Sequence, residues 1–272
     1  MNVLSLLYNT ILGRVLLSVL IKPPVSKLVG VFMDSYISCL FICGFIRRNH
    51  IKTDKRVKYK SFNDFFTRKE ARAFAAKEDE AAAPCDGWLT AYTITDDSVF
   101  CIKNSLYSVS GILQSKRLAA EFRDGTCLIF RLTPSNYHRY CYIDDGEVVF
   151  SKKIEGVLHT VRPIAVQRYK VYAQNSREYV LLQTKNFGKV VQMEVGALFI
   201  GRIVNHAVKK NIKRGEEKGM FEFGGSTIVV LFRKGAVTID ERIWENTRQG
   251  KETVVRLGER IGEKGLRCKL KV

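Results

Sequence analysis

The chain has 272 residues, 46% of them hydrophobic, and a formal net charge of +18. That length and apolar content are those of an ordinary folded protein, with room for one large domain or two smaller ones. The charge calls for an anionic partner, and without zinc-finger spacing or an aromatic-rich basic motif that partner is not nucleic acid.

The first 46 residues are the most apolar. Met1 to Ile21 carries Asn9 and Arg14 within its apolar run, the Lys22-Pro23-Pro24 break follows, and Val25 to Ile46 has Lys27 and Asp34 as its charged residues. There is no early basic region and no small-residue cleavage site, so the segment does not read as a signal peptide. Asp34 sits near the middle of the stretch that comes closest to spanning a bilayer, at a real energetic cost. The expectation is two helices lying in or on a membrane interface, with Arg47 and Arg48 at the headgroups. The plainer alternative is an amphipathic pair packed on the protein's own core. Phe62-Asn63-Asp64-Phe65-Phe66-Thr67-Arg68 reads alone as an amphipathic turn, and the Ala-rich stretch from Ala71 to Ala83 as an exposed helix or linker.

After Pro84 the pattern changes to short strands with Gly or Asp turns: 88–95, 127–132, 147–152, 178–183, 190–195, 198–204, 227–232 and 236–239. Closely spaced strands indicate a β-rich core. The expected fold is α+β: a helical, membrane-associating region over 1–60, then a β-rich catalytic domain over 61–272. No Gly-rich loop opens a helix, which argues against a nucleotide fold. The seven cysteines are scattered and odd in number, without repeated Cys-x-x-Cys spacing. They read as free thiols, and no metal site is expected.

Four places offer chemistry. Pro84-Cys85-Asp86-Gly87 puts an acid in a turn entering a strand, where a plain turn aspartate is also at home. Tyr137-His138-Arg139-Tyr140-Cys141 sets a histidine among ionisable groups after a strand, the better kind of candidate for proton transfer. Val195-Gly196-Ala197 marks a close approach of backbones. Gly224-Gly225-Ser226-Thr227 leads into Ile228 to Phe232, a tight turn feeding a buried strand. A hydroxyl there has an uncrowded glycine carbonyl beside it, although Gly-Gly-Ser is ordinary hairpin chemistry as well.

Taken together and in order, these motifs and Phe62 to Arg68 resemble the phosphatidylserine decarboxylases over nearly the whole chain from about residue 60. The resemblance implies that Ser226 attacks the Gly225 carbonyl and that the backbone is cut between them, leaving chains 1–225 and 226–272. Ser226 then becomes a pyruvoyl group, the covalent pyruvate cofactor. Its carbonyl condenses with the amine of phosphatidylserine, and decarboxylation gives phosphatidylethanolamine. It also implies Asp86 as a relay acid and His138 in proton transfer, in the manner of a protease triad. The family's loop reads Tyr-His-Arg-x-His, and its second histidine, a relay member, is Cys141 here.

Three readings follow from that departure. His138 serves both steps; His159 folds in and supplies the missing base, against the plainer view that it is structural; or Cys141 acts weakly and maturation is slow or absent. The last leads to an alternative function, a catalytically silent basic protein that binds lipid surfaces. The expected partners are phosphatidylserine, an anionic membrane surface and the two cleaved chains of one molecule, with a homodimer left open. The expected location is the cytoplasmic side of the cell membrane, peripherally bound.

Overall fold

The computed structural model describes residues 3–265 except 55, 96–98, 103–104, 167–168, 198–201 and 224–225. The chain opens with helices α1 (Val3–Asn9), α2 (Ile11–Leu20) and α3 (Pro23–Asp34), a 3-10 turn over Tyr36–Phe41, then α4 (Ile42–Asn49) and α5 (Phe62–Phe66). Where two long helices were expected there are several short ones, and local chemistry sets each break. The Thr10 side chain accepts from the Gly13 N–H and starts α2, and the Pro23-Pro24 pair starts α3, where proline's missing donor costs nothing. Ser35 is extended and ends α3, and His50 ends α4 in the left-handed region at φ 52°.

Strands β1 (Glu80–Ala82), β2 (Gly87–Thr93), β3 (Val99–Ile102) and β4 (Ser105–Ser108) follow, then helices α6 (Val109–Leu113) and α7 (Lys116–Ala120). Next come β5 (Thr126–Leu132), β6 (Arg139–Cys141) and β7 (Gly146–Ile154), with short helices α8 (Pro163–Val166) and α9 (Val171–Gln174). The remainder is β8 (Arg177–Thr184), β9 (Gly188–Val195), β10 (Ile203–Asn205), β11 (Asn211–Ile212), β12 (Glu217–Phe221), β13 (Ser226–Phe232), β14 (Val237–Ile239), α10 (Glu241–Arg248), β15 (Thr253–Val255) and β16 (Arg260–Lys264). Part of the strand expected over 198–204 lies outside the described residues. The Ala71–Ala83 stretch is extended, not helical: Ala75 and Ala76 both donate to the Gly258 carbonyl, and β1 pairs with β16.

The large sheet has eight antiparallel strands in the order β11-β7-β8-β9-β13-β5-β2-β15. β13 lies inside it, paired with β9 on one side and β5 on the other. All seven of its residues are buried, as an apolar strand covered on both faces must be. Val229 and Leu231 join a core with Leu7, Tyr8, Leu17, Ile112 and Phe122, the helical face of the sheet. Ile228, Val230 and Phe232 face the other way, into a core with Tyr140, Ile212 and Phe221, where the small sheet β10-β12-β6 packs. A third cluster joins Phe62, Phe65 and Phe66 of α5 to Phe45 and Phe223.

Helix α1 is part of the first core, since Tyr8 and Leu7 are buried. The following helices present apolar surface outward: Leu12 is 83% exposed, Leu28 73%, Val31 72% and Leu40 81%. Among the described residues no single helix is long and apolar enough to cross a membrane; α2 and α3 together pass that test as a pair bent by 72°.

Candidate active site

The antiparallel order brings the sequence motifs to one end of the large sheet. β13 begins there at Ser226, which is paired with Leu132, the last residue of β5. β2 begins there at Gly87, just after Asp86, next to the same end of β5. β9 finishes there at Val195, opposite Thr227. The loop that leaves β5 at this end carries Tyr137 and His138.

Ser226 lies in the sheet with alternate residues on opposite faces, so its side chain shares the face of Ile228 and Val230. Its Oγ is fully buried and has no hydrogen-bond partner among the described residues, and the same holds for Thr227 Oγ1 on the other face. An unsatisfied buried hydroxyl costs roughly 1–3 kcal/mol. A valine or alanine would avoid that cost, so packing alone does not account for a serine here. Gly225, the other half of the expected cleavage site, lies outside the described residues.

Asp86 is buried and fully occupied. Its Oδ1 accepts from the Leu257 N–H at 3.0 Å; its Oδ2 accepts from the Tyr137 N–H at 3.3 Å and from the Arg72 guanidinium at 3.4 Å. The carboxylate therefore grips the backbone of the histidine loop, and no histidine or serine is among its described hydrogen-bond partners.

The Tyr137-His138-Arg139 tripeptide docks residue by residue onto α5 and the chain that follows it. The Tyr137 hydroxyl accepts from the Glu70 N–H at 3.4 Å, and Arg72 lies over the Tyr137 ring at 4.8 Å. The His138 ring packs on Phe66 at 3.9 Å between centroids. Arg139 donates to the Thr67 carbonyl at 2.6 Å and to Glu217 at 2.6 Å. Two motifs some 70 positions apart in sequence thus form one surface, and α5 becomes part of the site, which sequence reasoning left without a role.

His138 has no solvent exposure, and neither ring nitrogen has a hydrogen-bond partner of ordinary geometry among the described residues. Burial pushes its pKa down to about 3; the Arg68 guanidinium pushes the same way, and the Asn136 backbone opposes them. It is a neutral imidazole at pH 7. Its carbonyl accepts from the Phe221 N–H at 2.9 Å, which ties it to the strand leading to Ser226.

Cys141 sits beside the aspartate turn. Its N–H and its Sγ both face the Pro84 carbonyl, at 2.9 and 3.5 Å. Burial pushes the thiol up to about 12, so it is a neutral weak donor rather than a thiolate base. A cavity of about 470 Å³ opens here, lined in part by Cys141, Arg139, Arg72 and Arg214.

His159 is placed elsewhere. Its Nδ1 lies 3.2 Å from the Tyr8 hydroxyl, its ring stacks on Tyr169 at 4.2 Å, and Asn175 bonds both its N–H and its carbonyl. Tyr8 belongs to the helical-face core and Tyr169 packs against it. Ser226 faces the opposite core, and the structure does not bring the two residues together.

The comparisons with known proteins agree with the order of the motifs. The sequence profile described as phosphatidylserine decarboxylase matches residues 62–263. A phosphatidylserine decarboxylase proenzyme 2 of Clostridium acetobutylicum is 48% identical over 268 residues, 96% of this chain and 91% of the relative. Phosphatidylserine decarboxylase proenzymes of Ruminiclostridium cellulolyticum and Clostridium perfringens are 41% and 40% identical, covering 96% and 94% of this chain and 91% of each relative. The chain belongs to the phosphatidylserine decarboxylase family. It is an enzyme of the carboxy-lyase type, and these proenzymes give the catalytically silent alternative no support.

Proposed function

We propose that this chain decarboxylates phosphatidylserine with a pyruvoyl group that it makes from Ser226 by cutting its own backbone after Gly225. The observation that carries the reading is the buried Ser226 hydroxyl, without a partner among the described residues, at the first position of a strand enclosed on both faces. Among those residues it has no hydrogen bond to give up before it attacks. The Oγ adds to the Gly225 carbonyl carbon and loses its proton, the amide nitrogen leaves, and an ester replaces the amide. Elimination then removes the Cα proton of residue 226, breaks the Cβ–Oγ bond and frees the Gly225 carboxylate. Residue 226 is left unsaturated at its α-carbon, and hydrolysis with loss of ammonia gives the pyruvoyl group. Once formed, that group supplies a carbonyl that condenses with the substrate amine and takes up the electron pair released with carbon dioxide.

We assign both proton transfers to His138. It is neutral at pH 7, with one N–H to give and one lone pair to accept, and apart from the weak approach of the Asn136 backbone neither nitrogen has a hydrogen bond of ordinary geometry among the described residues. Asp86 acts at one remove, by holding the Tyr137 backbone so that His138 keeps its place. Cys141 is protonated and His159 faces the other core, which favours the single-histidine reading. The paired strands around β13 keep the two cleaved chains together.

The exposed apolar faces of α2, α3 and the 3-10 turn support attachment to a bilayer surface, which the proposal takes to be anionic and on the cytoplasmic side. Each Lys or Arg near that surface adds about 1 kcal/mol. The test is product formation: the purified chain, given phosphatidylserine vesicles, releases carbon dioxide and phosphatidylethanolamine, whereas Ser226→Ala stays whole and makes neither. Product from Ser226→Ala would sink the proposal.

A further inference from the structure

Self-cleavage requires the Ser226 Oγ and the Gly225 carbonyl carbon to be held at near-attack separation, which the described residues on either side of that bond can enforce. The downstream end is fixed by the pairing of Ser226 with Leu132. The upstream end is fixed too. The Phe221 N–H donates to the His138 carbonyl at 2.9 Å, the Glu222 N–H to the Arg202 carbonyl at 3.1 Å, and the Phe223 N–H to Asn63 Oδ1 at 3.1 Å. The last of these, next to the glycines, ends on a side chain.

Asn63 is 4% exposed. Its Nδ2 donates to Asp34 Oδ1 at 2.9 Å, and its own carbonyl accepts from the Thr67 N–H and hydroxyl at 2.9 and 2.7 Å. The chemistry of the neighbours fixes the amide's orientation: a backbone N–H can only donate, and a carboxylate can only accept. The Phe223 ring is held by the same region, with centroids 4.8 Å from Phe62 and 5.3 Å from Phe66. Asp34, costly as a charge within an apolar helical stretch, closes α3 and has this amide as its partner. Beside it, burial pushes the Glu222 carboxyl up, Arg202 pulls it down, and Asp34 pushes it up again.

We propose that Asn63 is a positioning residue for self-cleavage, with Asp34 as its orienting partner: together they anchor the chain at Phe223, just before the cleavage site. The proposal rests on the Ser226 reading above. It also makes the seating of α3 a determinant of maturation.

The experiment follows self-cleavage of the full chain by intact mass over time, with the unfolding temperature of each variant measured in the uncleavable Ser226→Ala background. Asn63→Leu removes both hydrogen bonds and is expected to slow cleavage roughly 10- to 100-fold. Asn63→Asp sets two carboxylates against each other and slows it as well. Adding Asp34→Asn to Asn63→Asp reverses the pair, keeps an acceptor for the Phe223 N–H and a donor between the two side chains, and is expected to restore cleavage. Equal rates in Asn63→Leu and wild type would overturn the proposal alone. So would slow cleavage in all three variants that tracks their unfolding temperatures, the sign of a merely structural residue. A wild-type chain that stays whole would overturn the Ser226 reading and this proposal with it.

Discussion

Two buried histidines lie at the same end of one sheet, on opposite faces, and their surroundings differ in kind. His159 is satisfied: Tyr8 meets its ring nitrogen, Tyr169 stacks on it and Asn175 holds its backbone. His138 is more deeply enclosed, yet neither ring nitrogen has a hydrogen bond of ordinary geometry among the described residues, and it shares its side of the sheet with a serine hydroxyl in the same condition. Burial shifts both histidines toward the neutral form. The difference between the two histidines therefore lies in their hydrogen bonding, and a buried polar side chain without a partner costs stability; the proposed reaction would account for that cost at His138 and Ser226.

The sharpest way to break this contrast is His138→Ala. Decarboxylation per cleaved chain is expected to fall by roughly 10²- to 10⁴-fold, the usual worth of a positioned proton-transfer group. Near-normal turnover would remove His138 from the chemistry.

Acid stability gives the next largest effect. The unfolded chain takes up a proton on this histidine at about pH 6.5, while the folded chain resists until about 3. Protons in that window therefore bind the unfolded state preferentially. Stability is greatest above pH 6.5 and falls as pH drops, by about 1.4 kcal/mol per unit from this group, flattening near 3. In the Ser226→Ala background, His138→Phe should be less acid-sensitive than its parent in denaturant titrations; parallel curves would contradict the shift.

The smallest effect belongs to His159. His159→Phe keeps the stack on Tyr169 and loses the bond to Tyr8, for about 1 kcal/mol of stability. Self-cleavage should continue at close to its normal rate, and a whole chain in this variant would restore His159 as the relay base.

Much of this was legible in the sequence. The apolar run from Ile228 to Phe232 announced a core strand, and the motifs carrying Ser226, Asp86 and His138 stood out as candidates that the fold brings to one end of the sheet. The short strands β1, β6, β12, β15 and β16 were not legible, because three to five residues are too few to carry a clear periodicity. Nor was the extended course of Ala71–Ala83, since helix-forming composition yields there to tertiary pairing with Gly258 and β16. Among the site residues, the bond from Asn63 to Phe223 spans 160 positions, and nothing local encodes it. The Phe62–Arg68 motif stood out as a pattern, but only the fold lays it against Tyr137, His138 and Arg139. His159 differs again: a histidine in a loop looks equally available on either face of a sheet until the alternation of β13 is known.

The intact mass of the purified wild-type chain tests the central claim most directly. The account predicts two species, one ending at Gly225 and one beginning at residue 226 with the mass of a pyruvoyl group in place of the serine amino terminus. A single full-length mass that persists on incubation would contradict it, because the buried Ser226 hydroxyl, without a partner among the described residues, would then have no reaction to explain it.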